Sequence, residues 1–227
     1  MKISLFVPAF NEEENIKKAV DDLVACAKSI TSDYEVLVVD DGSSDKTASF
    51  VEEEKRVNKG VRLISHSRNF GYGEALKTGF YKSRGNYIFF TDADNQFDVF
   101  ELRKFWEDRE SADLLIGYRK NRADSFVRIL NAWLWKVLVF LLFGYYFKDI
   151  DCAFKLMSRR VIETIPRLKS SGAPISAELL IKAKRAGFRI KELPVSHFPR
   201  AYGKPTGADL EVILKALKEI LILRATV

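Results

Sequence analysis

Tyr87-Ile88-Phe89-Phe90-Thr91 runs directly into Asp92-Ala93-Asp94-Asn95-Gln96. Five β-branched or aromatic residues that stop at a polar, acidic turn are the pattern of a buried strand delivering carboxylates to the edge of a sheet. The same pattern occurs twice upstream: Ile3 to Val7 leads into Pro8-Ala9-Phe10-Asn11-Glu12, and Tyr34 to Val39 into Asp40-Asp41-Gly42-Ser43-Ser44-Asp45. Further strands are read at Val61 to Ser65, Leu114 to Gly117, Ala153 to Met157 and Arg189 to Val195. Helical patterns alternate with them at about residues 12–30, 44–57, 72–84, 98–110, 158–165 and 176–186. Such alternation predicts an α/β fold, a mostly parallel Rossmann-like sheet with crossover helices. The first helix is the best marked: Asn11 can cap it, Glu12 to Glu14 suit its positive end, and Ile16, Val20, Leu23, Val24 and Ala27 share one face.

In open parallel sheets ligands bind beyond the carboxyl ends of the strands, so these three acidic ends are the candidate site. Asp92 and Asp94 alternate to the same side, and Gln96 adds a neutral oxygen. Oxygen donors at that spacing suit a hard divalent cation, Mg²⁺ or Mn²⁺, that also takes phosphate oxygens. Gly71-Tyr72-Gly73 lacks the third glycine of a dinucleotide fingerprint, and no GxxxxGK[ST] loop is present. That glycine turn either faces an anion with its amides or allows close packing. Cys26 and Cys152 form no metal-ligand or disulfide pattern and are expected to be buried. His66 and His197 are read as structural.

A chain of 227 residues with 47% hydrophobic residues packs a core, which excludes disorder for most of its length. The whole, 1–227, is read as one domain. Its net charge of +6 is mildly basic, but acidic strand ends line the cleft, so nucleic acid is not expected as a partner. Near residue 118 the composition shifts: Arg119, Lys120, Arg122 and Arg128 precede an apolar insert, 125–148, whose longest uncharged run is Val137 to Phe147. Eleven residues fall short of the roughly 20 that a spanning helix needs. The insert is read as lying in a membrane interface, with Trp133, Trp135, Tyr145 and Tyr146 at headgroup level, or alternatively as a core hairpin or dimer contact. A last helix, 207–223, carries Leu210, Ile213, Leu214, Leu217, Ile220 and Leu221 on one stripe, to pack on the body, lie on the bilayer or meet a partner chain. The N-terminus shows no signal-peptide pattern, so a cytoplasmic enzyme, peripherally bound to the inner face of the membrane, is expected.

The segments VPAFNEEENI (Val7 to Ile16), VVDDGSSDKT (Val38 to Thr47), RNFGYGEALKTG (Arg68 to Gly79), TDADNQFD (Thr91 to Asp98), DIDCAFKLM (Asp149 to Met157), SAELLIKAKRAG (Ser176 to Gly187) and HFPRAYGKPTG (His197 to Gly207) resemble, in order, a family 2 glycosyltransferase of GT-A fold. The branch resembled is that of the polyprenyl-phosphate glycosyltransferases, typified by dolichol-phosphate mannose synthase. The resemblance implies that Pro8, Ala9, Phe10, Glu12, Asp40 or Asp41, Asp92 and Ala93 form the donor's base and ribose pocket. It implies a cation on Asp94 and Gln96 with Asp92 beside them. Arg119, Arg128, Arg200 and Lys204 would meet the donor diphosphate and the acceptor phosphate, and Glu178 the sugar. The activity implied is inverting transfer from a UDP- or GDP-sugar to dolichyl or undecaprenyl phosphate. A hydroxyl acceptor would instead need a base, with Asp92, Asp94 and Asp124 the first candidates. Transfer to a soluble sugar or polysaccharide is the alternative, and a non-catalytic nucleotide-sugar binding module that recruits a membrane protein is the reading from another class. A homo-oligomer is compatible with each.

Overall fold

The structure is a computed structural model that describes residues 2–120, 126–203 and 210–226; the side chains of 126–128 and 210–213 are not described. Its strands are β1 (Ile3–Ala9), β2 (Tyr34–Asp40), β3 (Val61–Ser65), β4 (Tyr87–Thr91), β5 (Leu114–Arg119), β6 (Phe154–Ser158) and β7 (Ile190–Val195). The helices are α1 (Ile16–Ile30), α2 (Thr47–Val57), α3 (Tyr72–Lys82), α4 (Leu102–Glu107), α5 (Phe126–Phe143), α6 (Arg159–Thr164), α7 (Ile175–Arg185) and α8 (Leu210–Thr226). The expected helix at 98–110 is a 3₁₀ turn, Val99–Glu101, followed by the short α4.

The strands form one sheet in the order β3-β2-β1-β4-β6-β5-β7, parallel except that β6 runs antiparallel to both of its neighbours. Helices cover both faces, so β1 is buried along its whole length and reads as a continuous apolar run. Alternate residues enter two cores: Phe6, Leu37, Val39, Ile88 and Phe90 on one side, Leu5, Val7, Val36, Val38 and Phe89 on the other. Phe6, Phe80 and Phe90 pack with ring centroids 5.1–5.5 Å apart, and α3 approaches β1 through Gly79. Chain direction across the sheet changes at β1, which pairs with β2 on one side and β4 on the other. The ends of β1, β2 and β4 therefore meet at a topological switch point, where α/β sheets bind ligands.

Three expectations are corrected. α1 begins at Ile16, so Asn11 does not cap it and Glu12 to Glu14 precede its first turn. Asn11 takes a left-handed conformation (φ 54°) and its Oδ1 accepts from the Ser44 amide, tying the ends of β1 and β2 together. The insert is a helix with two different sides. Val139 is fully buried and Trp135, Leu138 and Tyr145 pack against the core, whereas Trp133, Leu134, Leu141 and Tyr146 are exposed; only two of the four aromatics expected outside are there. Among the described side chains of α8, Ile220 and Leu223 are buried against the body and Leu217 lines a cavity, while Leu214 and Leu221 of the expected stripe face outward. Residues 207–209 of that expected helix lie outside the described residues. Both cysteines are buried as expected, and burial pushes each thiol up to about 12. Among the described residues no helix is long and apolar enough to cross a membrane.

A Cβ on Gly79 would lie 2.2 Å from the Phe6 ring. Gly79→Ala is therefore expected to lower unfolding free energy in urea by about 1–3 kcal/mol, the usual range for an overpacked core. Unchanged stability would show that α3 does not depend on this approach.

Candidate active site

Asp92 sits just past the end of β4, recessed beneath the Tyr72 hydroxyl, which donates to Asp92 Oδ1 at 3.0 Å. Asp94 follows in a turn that Asn95 completes in the left-handed region (φ 57°), a conformation Asn tolerates better than most residues. That turn folds the Gln96 amide back onto Asp94 Oδ1 at 3.1 Å. Burial, and then the neighbouring Asp94 charge, push Asp92 up to about 7. The Tyr72 hydroxyl is driven well above its usual range by burial and by Asp92, so it remains a proton donor.

The other strand ends converge on the same place. Asp41, and not Asp40, lines the cavity beyond them. Its carboxylate accepts from the amides of Phe70 (3.0 Å) and Gly71 (2.8 Å) and meets His66 Nδ1 at 2.6 Å. Asp40 turns into the Asp40–Ser43 turn, accepting from the Ser43 amide at 3.1 Å. Both readings of the glycine turn prove partly right. The anion its amides face is Asp41, and Gly73 packs so closely on Ser171 that a Cβ would lie 2.5 Å from the Ser171 carbonyl carbon. Glu12 accepts from Asn15 Nδ2 at 2.7 Å and pairs with Arg200. The Arg200 guanidinium also lies 3.7 Å from Asp94 Oδ2, so it links the segment after β7 to the ends of β1 and β4.

Two cavities open from this point. One, of about 580 Å³, runs toward β1 and β2 and is lined by Pro8, Ala9, Phe10, Glu12, Asp41 and Tyr72 among others. The second, of about 440 Å³, runs between α5 and α8 along Leu134, Trp135, Leu138 and Leu217. They share Asp92, Asp94, Gln96, Asp151, Ala173 and Ala216. Ala93 lines the first and Arg119 the second. Asp149 grips Arg119 with two side-chain bonds of 2.7 and 2.8 Å. The turn carrying Asp149 and Asp151 is fastened from below by Lys155, fully buried, which donates to the carbonyls of Ile150 (3.1 Å) and Cys152 (2.5 Å).

Most of the described part of the expected site is brought together; besides Asp40, Glu178 is not. Glu178 is fully buried beneath the 169–174 loop, where its carboxylate accepts from the amides of Lys169 and Ser170 and from Lys182. These donors hold it below the usual carboxylate range although burial opposes them. It shapes the cavity wall from behind and is not placed to touch a sugar. Lys204 and Asp124 lie outside the described residues, as does the Arg128 side chain. Sequence reading missed Tyr72, Asp151 and the Ser171–Gly172 wall. Tyr72 carried a signal, standing between two glycines at a helix start, and Asp151 stood in a quoted segment without a role.

A family model described as Glycosyl transferase family 2 matches residues 4–165. The chain belongs to glycosyl transferase family 2. Among the relatives of this family member, dodecaprenyl-phosphate galacturonate synthase of Rhizobium johnstonii is 31% identical over 209 residues, covering 89% of this chain and 61% of that protein. Undecaprenyl-phosphate 4-deoxy-4-formamido-L-arabinose transferase of Proteus mirabilis is 28% identical over 216 residues, covering 93% and 64%. The chain thus spans less than two thirds of the length of these relatives. Among solved structures, glucosyl-3-phosphoglycerate synthase from Mycobacterium tuberculosis with phosphoglyceric acid matches with a TM-score of 0.74 at 22% identity, covering 99% of this chain and 79% of that one. Its complex with Mn²⁺, UDP-glucose and phosphoglyceric acid matches with a TM-score of 0.73 at 20% identity, covering 99% and 80%. This likeness bears out the expected GT-A fold.

The crowding of the two carboxylates has a measurable consequence. In metal-free protein, Asp92 is expected to titrate near pH 7 in carboxyl ¹³C NMR, and Asp94→Asn is expected to shift its midpoint downward while burial keeps it above the usual carboxylate range. An unmoved midpoint would show that Asp94 does not act on Asp92.

Proposed function

We propose that this family 2 member transfers a sugar, with inversion, from a nucleoside-diphosphate donor to the phosphate of a polyprenyl lipid at a membrane surface. The observation that carries this reading is the pair of cavities, one with more polar side chains (Glu12, Asp41, Asn69, Arg200) and the other with more large apolar ones (Leu134, Trp135, Leu138, Leu217), that share Asp92, Asp94, Gln96 and Asp151. A nucleotide sugar fits the polar side and a prenyl chain the apolar side, so the reacting groups meet at the shared residues. The names of the curated relatives, which are polyprenyl-phosphate sugar transferases, point the same way.

In the polar cavity Asp41 and Glu12 offer acceptors to ribose and base, with Pro8, Ala9 and Phe10 as the apolar surface beneath them. The residues fit a divalent cation: two crowded carboxylates, one pushed up to about 7, form a site short of positive charge. Gln96 spends its amide nitrogen on the Phe198 carbonyl and has its oxygen to offer. Among the described residues no group of three acidic, His or Cys side chains is placed to hold a metal, and donor phosphate oxygens would supply further ligands. Mg²⁺ or Mn²⁺ held by Asp94 and Gln96, with Asp92 beside them, would neutralise charge on the departing diphosphate. Arg200 adds positive charge on that side. A polyprenyl phosphate is ionised near neutral pH, so its oxygen attacks the anomeric carbon without a general base. Arg119, aimed by Asp149 into the apolar cavity, is placed to orient it. Departure of the nucleoside diphosphate through an oxocarbenium-like state completes the exchange of one C–O bond for another.

The outward apolar side chains of α5 and α8, including Trp133, Leu134, Leu141, Leu214 and Leu221, continue from the mouth of the apolar cavity. A bilayer is the surface that would cover them while delivering a prenyl chain. The reading makes a peripheral membrane protein of the chain, with no requirement for nucleic acid; a second copy or a membrane-protein partner would have to leave this face open.

Supplied with UDP- or GDP-sugars, Mn²⁺ and undecaprenyl phosphate, the protein is expected to yield solvent-extractable labelled lipid, and Asp94→Ala to lower the rate by at least about 10³-fold. Label appearing only in a soluble acceptor such as phosphoglyceric acid would favour the alternative reading, and full activity in EDTA would overturn the cation role. Trp133→Glu with Leu134→Glu is expected to abolish co-sedimentation with phosphatidylglycerol vesicles; undiminished binding would refute the membrane face.

A further inference from the structure

Among the described residues of α8, Glu219 is the one whose side chain hydrogen-bonds beyond its own helix. It accepts from Ser171 Oγ at 2.7 Å and from the amides of Ser171 and Gly172, each at 3.3 Å. Those residues form the tip of the loop that walls the polar cavity. The Ser171 carbonyl in turn accepts from the Gly73 amide at 2.9 Å. Gly73 opens α3 beside Tyr72, whose hydroxyl holds Asp92. A continuous chain of contacts therefore runs from the outer helix to the first carboxylate of the Asp92–Asp94 pair.

The loop's base does not need this link. Its Leu168 amide donates to Tyr81 Oη at 2.9 Å, and the Lys169 and Ser170 amides donate to Glu178. Its tip is the part that bonds to α8, and it is also held by the Gly73 amide and by the Ile175 amide, which donates to the Gly172 carbonyl at 3.2 Å. Among the described side chains of that helix, Ile220 and Leu223 are the buried apolar ones, while Leu214, Leu221 and Ile222 are exposed. Such an element sits at the low end of local stability, and any apolar surface that covers its outer side chains holds it in place. The Gly73 contact leaves no slack to absorb a movement of the tip, since even a methyl group would not fit between Gly73 and Ser171.

We infer that Glu219 is a positioning residue through which seating of α8 on a lipid surface orders the wall of the donor cavity and the Gly73–Tyr72–Asp92 contact. The enzyme would then assemble its donor site fully only where its lipid acceptor is found. This inference rests on the membrane-seated reading for the direction of the effect.

Hydrogen exchange of the full chain, with and without phosphatidylglycerol–phosphatidylethanolamine vesicles, tests it without any substrate. In the native chain vesicles are expected to slow exchange of the Gly73, Ser171 and Gly172 amides at least fivefold, with little change at Lys169 and Ser170. In Glu219→Ala those three amides are expected to exchange at least tenfold faster, unresponsive to vesicles that the variant still binds. Glu219→Gln, which keeps one acceptor oxygen, is expected to restore part of the response, and it carries the test should the alanine variant fail to fold. Vesicle binding with no change at Gly73, or a response retained in both variants, would overturn the coupling while leaving the proposed transfer intact. Failure of the native chain to bind vesicles would overturn both the membrane seat and the coupling. Vesicle-dependent ordering in a protein that transfers no sugar would sustain the coupling and refute the proposed function instead.

Discussion

Two carboxylates end one strand of a buried sheet, and their repulsion organises what surrounds them. In a region partly shielded from water, like charges at that separation are costly unless protons, donors or cations offset them. The protein offsets Asp92 with the Tyr72 hydroxyl and Asp94 with the amide of Gln96 and the nearby Arg200 guanidinium. Each partner comes from a different part of the chain: α3, the turn after β4, and the segment after β7. The carboxylate pair thus draws three peripheral elements over the switch point of the sheet. Opposite charge delivered by a metal–diphosphate complex would relieve the same repulsion, which is why one feature serves both architecture and the proposed chemistry.

The second determinant is a division of solvent properties. The ends of β1, β2 and β4 bring Glu12, Asp41 and Asp94 to one cavity, whereas α5 and α8 bring Leu134, Trp135, Leu138 and Leu217 to the other, and the two meet at Asp92, Asp94, Gln96 and Asp151. α5 spans this division in a single helix. Val139 belongs to the core, Leu138 lines the apolar cavity, and Leu141 is exposed. A helix apolar on nearly every side is expected in a core or against lipid, and α5 meets the core with Val139 while its Leu141 stays exposed.

The sheet was legible because its inner strands are buried on both faces, so period and length separate them from the helices; five of the seven strands begin where the sequence predicts, and three of those run one or two residues longer. The acidic strand ends were legible for the same reason. What failed was local or long-range in character. Asn11 is a good helix cap by type, yet a tie to Ser44 in the next strand's turn captures it. Glu178 stands in a polar-looking segment, but its carboxylate serves two loop amides that no periodicity announces. The stripe on α8 was sound as a pattern, but a stripe does not say which of its edges meets the body. Ser171 and Gly172 gave little signal because, apart from the Ser171 hydroxyl, their contacts are made by backbone groups, which the sequence does not distinguish.

Anomalous scattering from a crystal of the chain grown with Mn²⁺ and UDP tests the central claim most directly. A manganese peak coordinated by Asp94, with the diphosphate in the polar cavity and Arg200 drawn to it, is the predicted result. A manganese ion bound elsewhere, with Asp94 taking no part in its coordination beside an ordered nucleotide, would contradict it.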